Sequence, residues 1–281
     1  MRKIVCISLL LLLAGCAGWS LTGTPPVTRM YVIECGENHV KDLSRWTPGV
    51  NVGKAHVFSD HCYLIQHARG WFLWDSGNSD SLAALPNGRT APNGIITAFM
   101  RKPLLESLKE LGLTPGDIRY FAMSHSHGDH SGNANLFTSA LLIMQSSEHA
   151  AVFGPEPQKF NFVAANVEKL RDVQVEKING DYDVFGDGSI VIKSTPGHTP
   201  GHQSLLVRLP KRGPVLLTGD MVHLVYSWEK NIVPSFNYNV EQSRQTILAM
   251  KEFVKQTGAQ VWVSHDKEQH GLIPKSPNFV E

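Results

Sequence analysis

His125-Ser126-His127-Gly128-Asp129-His130 places three imidazoles and a carboxylate within six residues. Four potential metal ligands so close together rarely arise from composition alone. The preceding run, Ile118-Arg119-Tyr120-Phe121-Ala122-Met123-Ser124, reads as a short buried strand, and the following Gly132-Asn133-Ala134-Asn135 reads as a loop entering a helix. The ligands therefore sit on a strand-to-helix loop. There His125 and His127 can point to one side while Asp129 and His130, beyond the flexible Gly128, face a second position. One metal cannot easily use all four, so the spacing points to two.

Three more candidates lie downstream in the same setting. His198 follows a strand-like run, Ser189 to Lys193, inside Thr195-Pro196-Gly197-His198-Thr199-Pro200-Gly201-His202. Asp220 ends Val215-Leu216-Leu217-Thr218-Gly219-Asp220, and His265 ends Val261-Trp262-Val263-Ser264-His265. A polar residue closing a hydrophobic strand is how a rigid scaffold presents ligands. The set sorts into His125, His127 and His198 for one metal and Asp129, His130 and His265 for the other, with Asp220 bridging. Neutral imidazole and carboxylate suit zinc, and manganese, iron or cobalt would also fit.

This ordered set resembles the metallo-β-lactamase superfamily, whose HxHxDH motif and later His, Asp and His recur here position by position. Within it the chain is most similar to the N-acyl-homoserine lactonases, which degrade bacterial quorum-sensing signals. The similarity runs from about Met30 to the C-terminus, through Cys62-Tyr63-Leu64-Ile65, Leu73-Trp74-Asp75-Ser76-Gly77 and Gly180-Asp181-Tyr182, then through the segments around His198 and His265. It implies an α/β fold, a four-layer αββα sandwich with the metal site at one edge between the sheets. It implies two divalent metal ions, Zn2+ first among them, and hydrolysis of a small-molecule lactone or ester by a hydroxide shared between them. Asp129 would act both as ligand and as carrier of the proton to the departing ring oxygen. His202 and Asp75 would support the ligands from behind.

The chain departs from the family at one point. Lactonases of this type commonly place a Tyr three residues after the bridging Asp to bond the substrate carbonyl, and here that position holds His223. An imidazole can still donate a hydrogen bond, and Tyr226 follows within one turn. Other functions compete with the lactonase reading. A thioester hydrolase of glyoxalase II type shares all seven ligands. A β-lactamase fits less well, because Asp220 stands where one class has Cys and another lacks a bridging carboxylate. A non-catalytic, metal-binding surface lipoprotein would be expected to have lost at least one ligand.

At the other end of the chain, Arg2 and Lys3 precede an apolar stretch from Ile4 to Leu13, too short to span a bilayer and ordered like an export signal. It closes on Leu13-Ala14-Gly15-Cys16, which resembles a lipoprotein box. The expected organisation is a signal peptide over 1–15, a lipidated Cys16 and tether over 16–28, and a hydrolase domain over 29–281. Ala17 after the Cys expects an outer-membrane anchor facing the periplasm, with the protein held to the membrane through lipid on Cys16. Loss of Arg2 and Lys3 takes the formal charge from +1 to −1. Near neutrality argues against nucleic acid as a partner.

Besides Cys16, two cysteines, Cys35 and Cys62, remain in the mature chain, both in strand-like apolar segments. In an oxidising compartment they could pair, or they could simply be packed. Strands are expected at Met30–Glu34, Val57–Gln66, Trp71–Asp75, Tyr120–Ser124, Leu141–Gln145, Ile190–Ser194, Gln203–Arg208, Val215–Thr218 and Gln260–Val263. Helices are expected near Pro103–Leu111 and Val240–Thr257, the second with Val240, Ile247, Met250 and Val254 on a core face. Apolar residues crowd two further regions read as loops, Val152-Phe153 with Phe160-Asn161-Phe162-Val163, and Tyr226-Ser227-Trp228 with Phe236-Asn237-Tyr238. They could line an acyl-chain groove, pack under a lid or form a homodimer contact.

Overall fold

Alternation of apolar residues along the strands decides the layering. The computed structural model describes residues 26–281. The leader, Cys16 and the tether up to residue 25 lie outside the described residues. Eight strands form one sheet: β1 (Val27–Val40), β2 (His56–His67), β3 (Gly70–Trp74), β4 (Arg89–Thr90), β5 (Ile96–Phe99), β6 (Ile118–Ala122), β7 (Leu141–Gln145) and β8 (Val175–Ile178), in the order β4-β5-β1-β2-β3-β6-β7-β8. A second sheet runs β13-β12-β11-β10-β9, from β9 (Tyr182–Asp183), β10 (Ile190–Ser194), β11 (Gln203–Leu209), β12 (Gly213–Leu217) and β13 (Gln260–Trp262). The helices are α1 (Leu104–Glu110), α2 (Gly128–Ser131), α3 (Ser146–Val152), α4 (Val225–Lys230), α5 (Val240–Thr257) and α6 (Lys267–Gly271).

One apolar layer lies between the sheets: Val32, Tyr63 and Phe72 from the first meet Ile192, Leu205 and Val215 from the second. The intervening residues face outward. Ile33, Leu64 and Leu73 pack under Leu104 and Leu108 of α1 and Val152 of α3. On the far side Leu206 and Leu216 pack under Ile247 and Met250 of α5. Strands buried on both faces in this way need helices on both outer faces, which gives the four-layer αββα sandwich. Helix α5 starts where the Asn239 side chain accepts a hydrogen bond from the Gln242 N–H, and stops at Gly258 in the left-handed region. Among the described residues no helix is long and apolar enough to cross a membrane.

The structure differs from the sequence expectation at several element ends and adds the strands β4, β5, β8 and β9, whose short or polar runs carry little periodic signal. β1 begins at Val27, fully buried and paired with His67, so the last two residues of the expected tether belong to the domain. β3 stops before Asp75, which takes φ +59, and β6 stops before Ser124. Both leave their strands because the Asp75 carboxylate accepts from Ser124 N (2.6 Å) and Oγ (3.1 Å). The short helix begins inside the histidine motif, at Gly128, because the His127 carbonyl accepts from the N–H groups of His130 and Ser131. Tyr226, Ser227 and Trp228, expected in a loop, form part of α4. Cys35 and Cys62 form a disulfide between β1 and β2.

Candidate metal centre

Parallel pairing puts the candidate ligands at one end of the molecule. β3, β6 and β7 run parallel, as do β12 and β13. The residues that follow β3, β6, β12 and β13 therefore emerge at the sheets' common edge: Asp75, the histidine motif, Asp220 and His265. His198 follows β10 in the loop that turns back into β11. Gly219 precedes Asp220 with φ +54, and a Cβ there would lie 2.6 Å from Ser124 Cβ and 2.8 Å from His202 Nε2. Only glycine lets the β12 turn approach that closely.

The side chains converge in two groups, His125, His127, His198 and Asp220 in one and Asp129, His130 and His265 in the other, each with its ligand atoms within 4.8 Å of one another. Asp220 joins them. Its Oδ2 lies 3.3 Å from His198 Nε2 and 3.8 Å from His125 Nε2. Its Oδ1 lies 3.1 Å from His130 Nε2 and 2.9 Å from His265 Nε2. The two oxygens of one carboxylate thus face different groups, as a bridging role requires. Asp129, whose side chain is partly exposed, has Oδ1 4.0 Å from His130 Nε2 and Oδ2 3.9 Å from His265 Nε2.

The outer nitrogens test whether this set fits a cation. His127 Nε2 meets the Phe160 carbonyl at 2.9 Å, and His198 Nδ1 meets Asn237 Oδ1 at 3.0 Å. His130 Nδ1 meets Asp75 Oδ2 at 3.1 Å, and His265 Nδ1 meets Asp60 Oδ1 at 3.0 Å. His125 Nδ1 meets Ser124 Oγ at 3.1 Å, and that hydroxyl donates its hydrogen to Asp75. With the outer nitrogen of each ring facing an acceptor, the ring proton sits there and the inner nitrogen carries a lone pair. Yet His127 Nδ1 lies 2.8 Å from His125 Nε2 and 3.0 Å from His198 Nε2. Lone pairs at that separation repel unless a cation lies among them. In the other group, His130 Nε2 and Asp220 Oδ1 are buried with no hydrogen-bond partner. Both groups therefore fit a divalent cation.

Charge supports the same reading. Burial pushes the pKa values of His125, His127 and His198 down, leaving the neutral imidazole that coordinates. Burial also acts against charge on His130 and His265, but Asp220 beside them outweighs it and holds both well above the ordinary histidine value. A proton held there by a carboxylate is one that a cation replaces.

Behind the ligands, Asp75 and His202 stand where the sequence reading put them. Burial pushes His202 down to a pKa of about 3, so its neutral ring accepts the Asp220 N–H on Nε2 at 2.9 Å. His223 is buried with Nε2 3.1 Å from Asp220 Oδ2, on the side of the first group. Tyr226 lies exposed on α4.

Two buried carboxylates escaped the sequence reading. Asp60 is the outer partner of His265, and burial raises its pKa to about 7 against the opposing pull of His265. A charged residue inside the apolar run Val57–Gln66 was the available signal. Glu148 accepts from Ser126 N (2.8 Å), Thr199 Oγ1 (2.8 Å) and Gly201 N (3.0 Å), tying the histidine motif to the His198 loop. In sequence it looks like an ordinary acidic residue in the first turn of α3, so nothing marked it.

Comparison with known proteins completes the description of the site. Residues 57–255 match the family model described as the metallo-beta-lactamase superfamily. The N-acyl homoserine lactonase AttM of Azorhizobium caulinodans is 31% identical over 228 residues, covering 78% of this chain and 86% of that protein. The N-acyl homoserine lactonase AiiA of Bacillus thuringiensis subspecies kurstaki is 30% identical over 261 residues, covering 90% of this chain and 99% of that protein. A solved N-acyl homoserine lactone hydrolase, with the product N-hexanoyl-L-homoserine bound at its catalytic metal center, superposes with a TM-score of 0.80 at 28% identity, covering 90% of this chain and 99% of that one.

Proposed function

The chain belongs to the N-acyl homoserine lactonase family of the metallo-beta-lactamase superfamily, and from that premise we propose that it opens the lactone ring of N-acyl-homoserine lactones at a centre of two divalent cations. The observation that carries the proposal is Asp220, whose two oxygens each face a separate group of imidazoles. His125, His127 and His198 would hold one cation, Asp129, His130 and His265 the other, and Asp220 both. Their nitrogen and carboxylate donors favour zinc. When bound, the cations supply a nucleophile at neutral pH and Lewis acidity for the carbonyl.

The chain's own residues do the rest. Asp129, beside both His130 and His265 and partly exposed to solvent, takes the proton released by the attacking water and delivers it to the ring oxygen that departs. We assign His223 to the negative charge that develops on the carbonyl oxygen, since its imidazole sits on the first group's side of Asp220. An apolar shelf beside His127 suits the acyl chain. Phe162 lies 5.6 Å from that ring and 5.6 Å from Phe160, which reaches Tyr238, and Tyr238 and Val163 are exposed.

Metal-loaded protein assayed on short- to long-chain acyl-homoserine lactones, beside a chromogenic cephalosporin and a glutathione thioester, is expected to turn over the lactones fastest. No lactone hydrolysis with two metal equivalents bound would sink the proposal, and faster thioester cleavage would favour the glyoxalase II type. We further propose that the enzyme works outside the cytoplasm, anchored through lipid on Cys16. The Cys35–Cys62 disulfide supports this, because such bonds persist in oxidising compartments.

A further inference from the structure

Two of the three ligands in the second group, Asp129 and His265, are held by one buried network rooted in the first two strands. Asp60 on β2 stands with Oδ1 3.0 Å from His265 Nδ1, a nitrogen that also meets the carbonyl of the neighbouring Ser59 at 2.9 Å. Its Oδ2 accepts from Asn38 Nδ2 at 3.0 Å and from Asn78 Nδ2 at 2.9 Å. The same Asn38 nitrogen donates to Asp129 Oδ2 at 2.9 Å, and Asn38 Oδ1 accepts from Asn78 at 3.3 Å. Asn38 and Asp60 are 4% and 2% exposed. Nothing else among the described residues hydrogen-bonds the Asp129 carboxylate.

An amide nitrogen carries two hydrogens, and Asn38 gives one to each of two carboxylates. A carboxylate at position 38 would oppose both, a hydroxyl could serve only one, and an apolar side chain neither. The bond to Asp129 matters because that side chain rises from the first turn of the four-residue helix α2 and is otherwise free to rotate toward solvent. The Ser59 carbonyl, 2.9 Å from His265 Nδ1, keeps the ring proton on that nitrogen, and the Asp60 carboxylate beside it adds the charge that holds the ring in place.

We infer that Asn38 and Asp60 are a paired positioning unit for the second metal position, setting Asp129 for metal binding and proton delivery and His265 for metal binding. This rests on the two-metal reading of the centre and on the role given to Asp129. The disulfide places the unit: Cys35 and Cys62 bind together the two strands that carry it, and the Cys35 carbonyl accepts the Asn78 N–H at 2.9 Å.

The test uses the full chain loaded with cobalt, and reads metal affinity by chelator competition, the cobalt absorption spectrum, and kcat and KM on a lactone. Asn38→Ala is expected to weaken one of the two cobalt equivalents and to lower kcat, each by about 10- to 100-fold, with KM little changed and the other equivalent retained. Asn38→Asp, although isosteric, should lose more than Asn38→Ala. Asp60→Asn should alter the spectrum of the same equivalent. If packing alone mattered, the isosteric Asp would be the mildest change, and that order overturns the inference, as does an unchanged second equivalent in Asn38→Ala. If Asn38→Ala does not fold, Asn38→Ser, which keeps one hydrogen, is read in its place with the same expectation and a smaller effect. Loss of the second equivalent without any lactone turnover in the wild type would leave the positioning role standing and reject only the substrate.

Discussion

At the scale of single residues, the contrast between Asp220 and its neighbours separates binding from support. Asp220→Ala removes the only side chain shared by the two groups, so metal content should fall below two equivalents and lactone turnover should nearly vanish. His202→Ala removes the acceptor that holds the Asp220 backbone N–H and the ring's own contact with Thr195 but no candidate ligand, so its effect should be milder on both. Metal analysis and single-substrate kinetics on the purified variants decide the order, and full turnover in Asp220→Ala would refute the bridging role. His223→Phe should keep both metals and lower kcat, since its imidazole is near Asp220 but its loss leaves every ligand in place. An unchanged kcat/KM would reduce His223 to packing. Glu37, a partly buried neighbour of Asn38 on β1, offers a test of stability in place of metal binding. Burial opposes its charge, but Lys267 and Arg101 outweigh burial and hold its pKa near 2. A depressed value stabilises the fold above the unfolded carboxylate pKa and is lost as pH falls through the folded one. The stability gap between wild type and Glu37→Gln should therefore narrow between about pH 4.5 and about pH 2. With both cations largely exposed, the gap at neutral pH should not exceed about 1 kcal/mol by urea unfolding.

Among the elements, the β1–β2 pair carries more than its share, since it supplies core residues to both sides of the first sheet as well as Asn38 and Asp60. The disulfide closes a loop between residues 27 apart in sequence. Replacing both cysteines by Ser should cost about 3 kcal/mol of stability by the loop-entropy argument, seen as a lower midpoint in urea. It should also weaken the second metal before the first, because the network that orients His265 hangs from these strands. Loss of both metals in step would contradict that link. The turn after β3 is bound to the same place. Gly77 has φ +64, and a Cβ there would fall 2.3 Å from Cys35 Cβ, so Gly77→Ala forces the strand and the turn apart. The sequence showed β7, β10 and α5 at their true ends, because the first two are short apolar runs closed by a polar residue and the third is a long helical repeat between Asn239 and Gly258. It missed where β3 and β6 stop, because Asp75 and Ser124 leave their strands only to bond one another.

For the whole molecule, the polarity of the sandwich governs how it would work at a surface. The chain enters β1 beside the β2–β3 hairpin, where the Pro26 carbonyl accepts the Ala68 N–H, while Asp75 and the metal ligands lie beyond the opposite end of β3. A tether reaching Pro26 from a lipidated Cys16 would enter at the end away from the metal centre and leave that centre facing water. Cys16→Ser should release the protein from the membrane fraction with unchanged kcat. Continued sedimentation with membranes, or a wild-type mass without added lipid, would reject the anchor.

The sequence by itself marked out the seven candidate ligands and the two groups in which the structure brings them together, with Asp220 reaching both. Those follow from residue type and strand-end position, which local spacing and periodicity encode. Tertiary structure alone decided which side chains besides Asp75 and His202 stand behind the ligands. Asp60, Asn38 and Glu148 reach their partners across 205, 91 and 22 residues of chain respectively. A hydrogen bond between groups so far apart has no periodic signature, and it exists only once the strands have paired and the loops have closed over them.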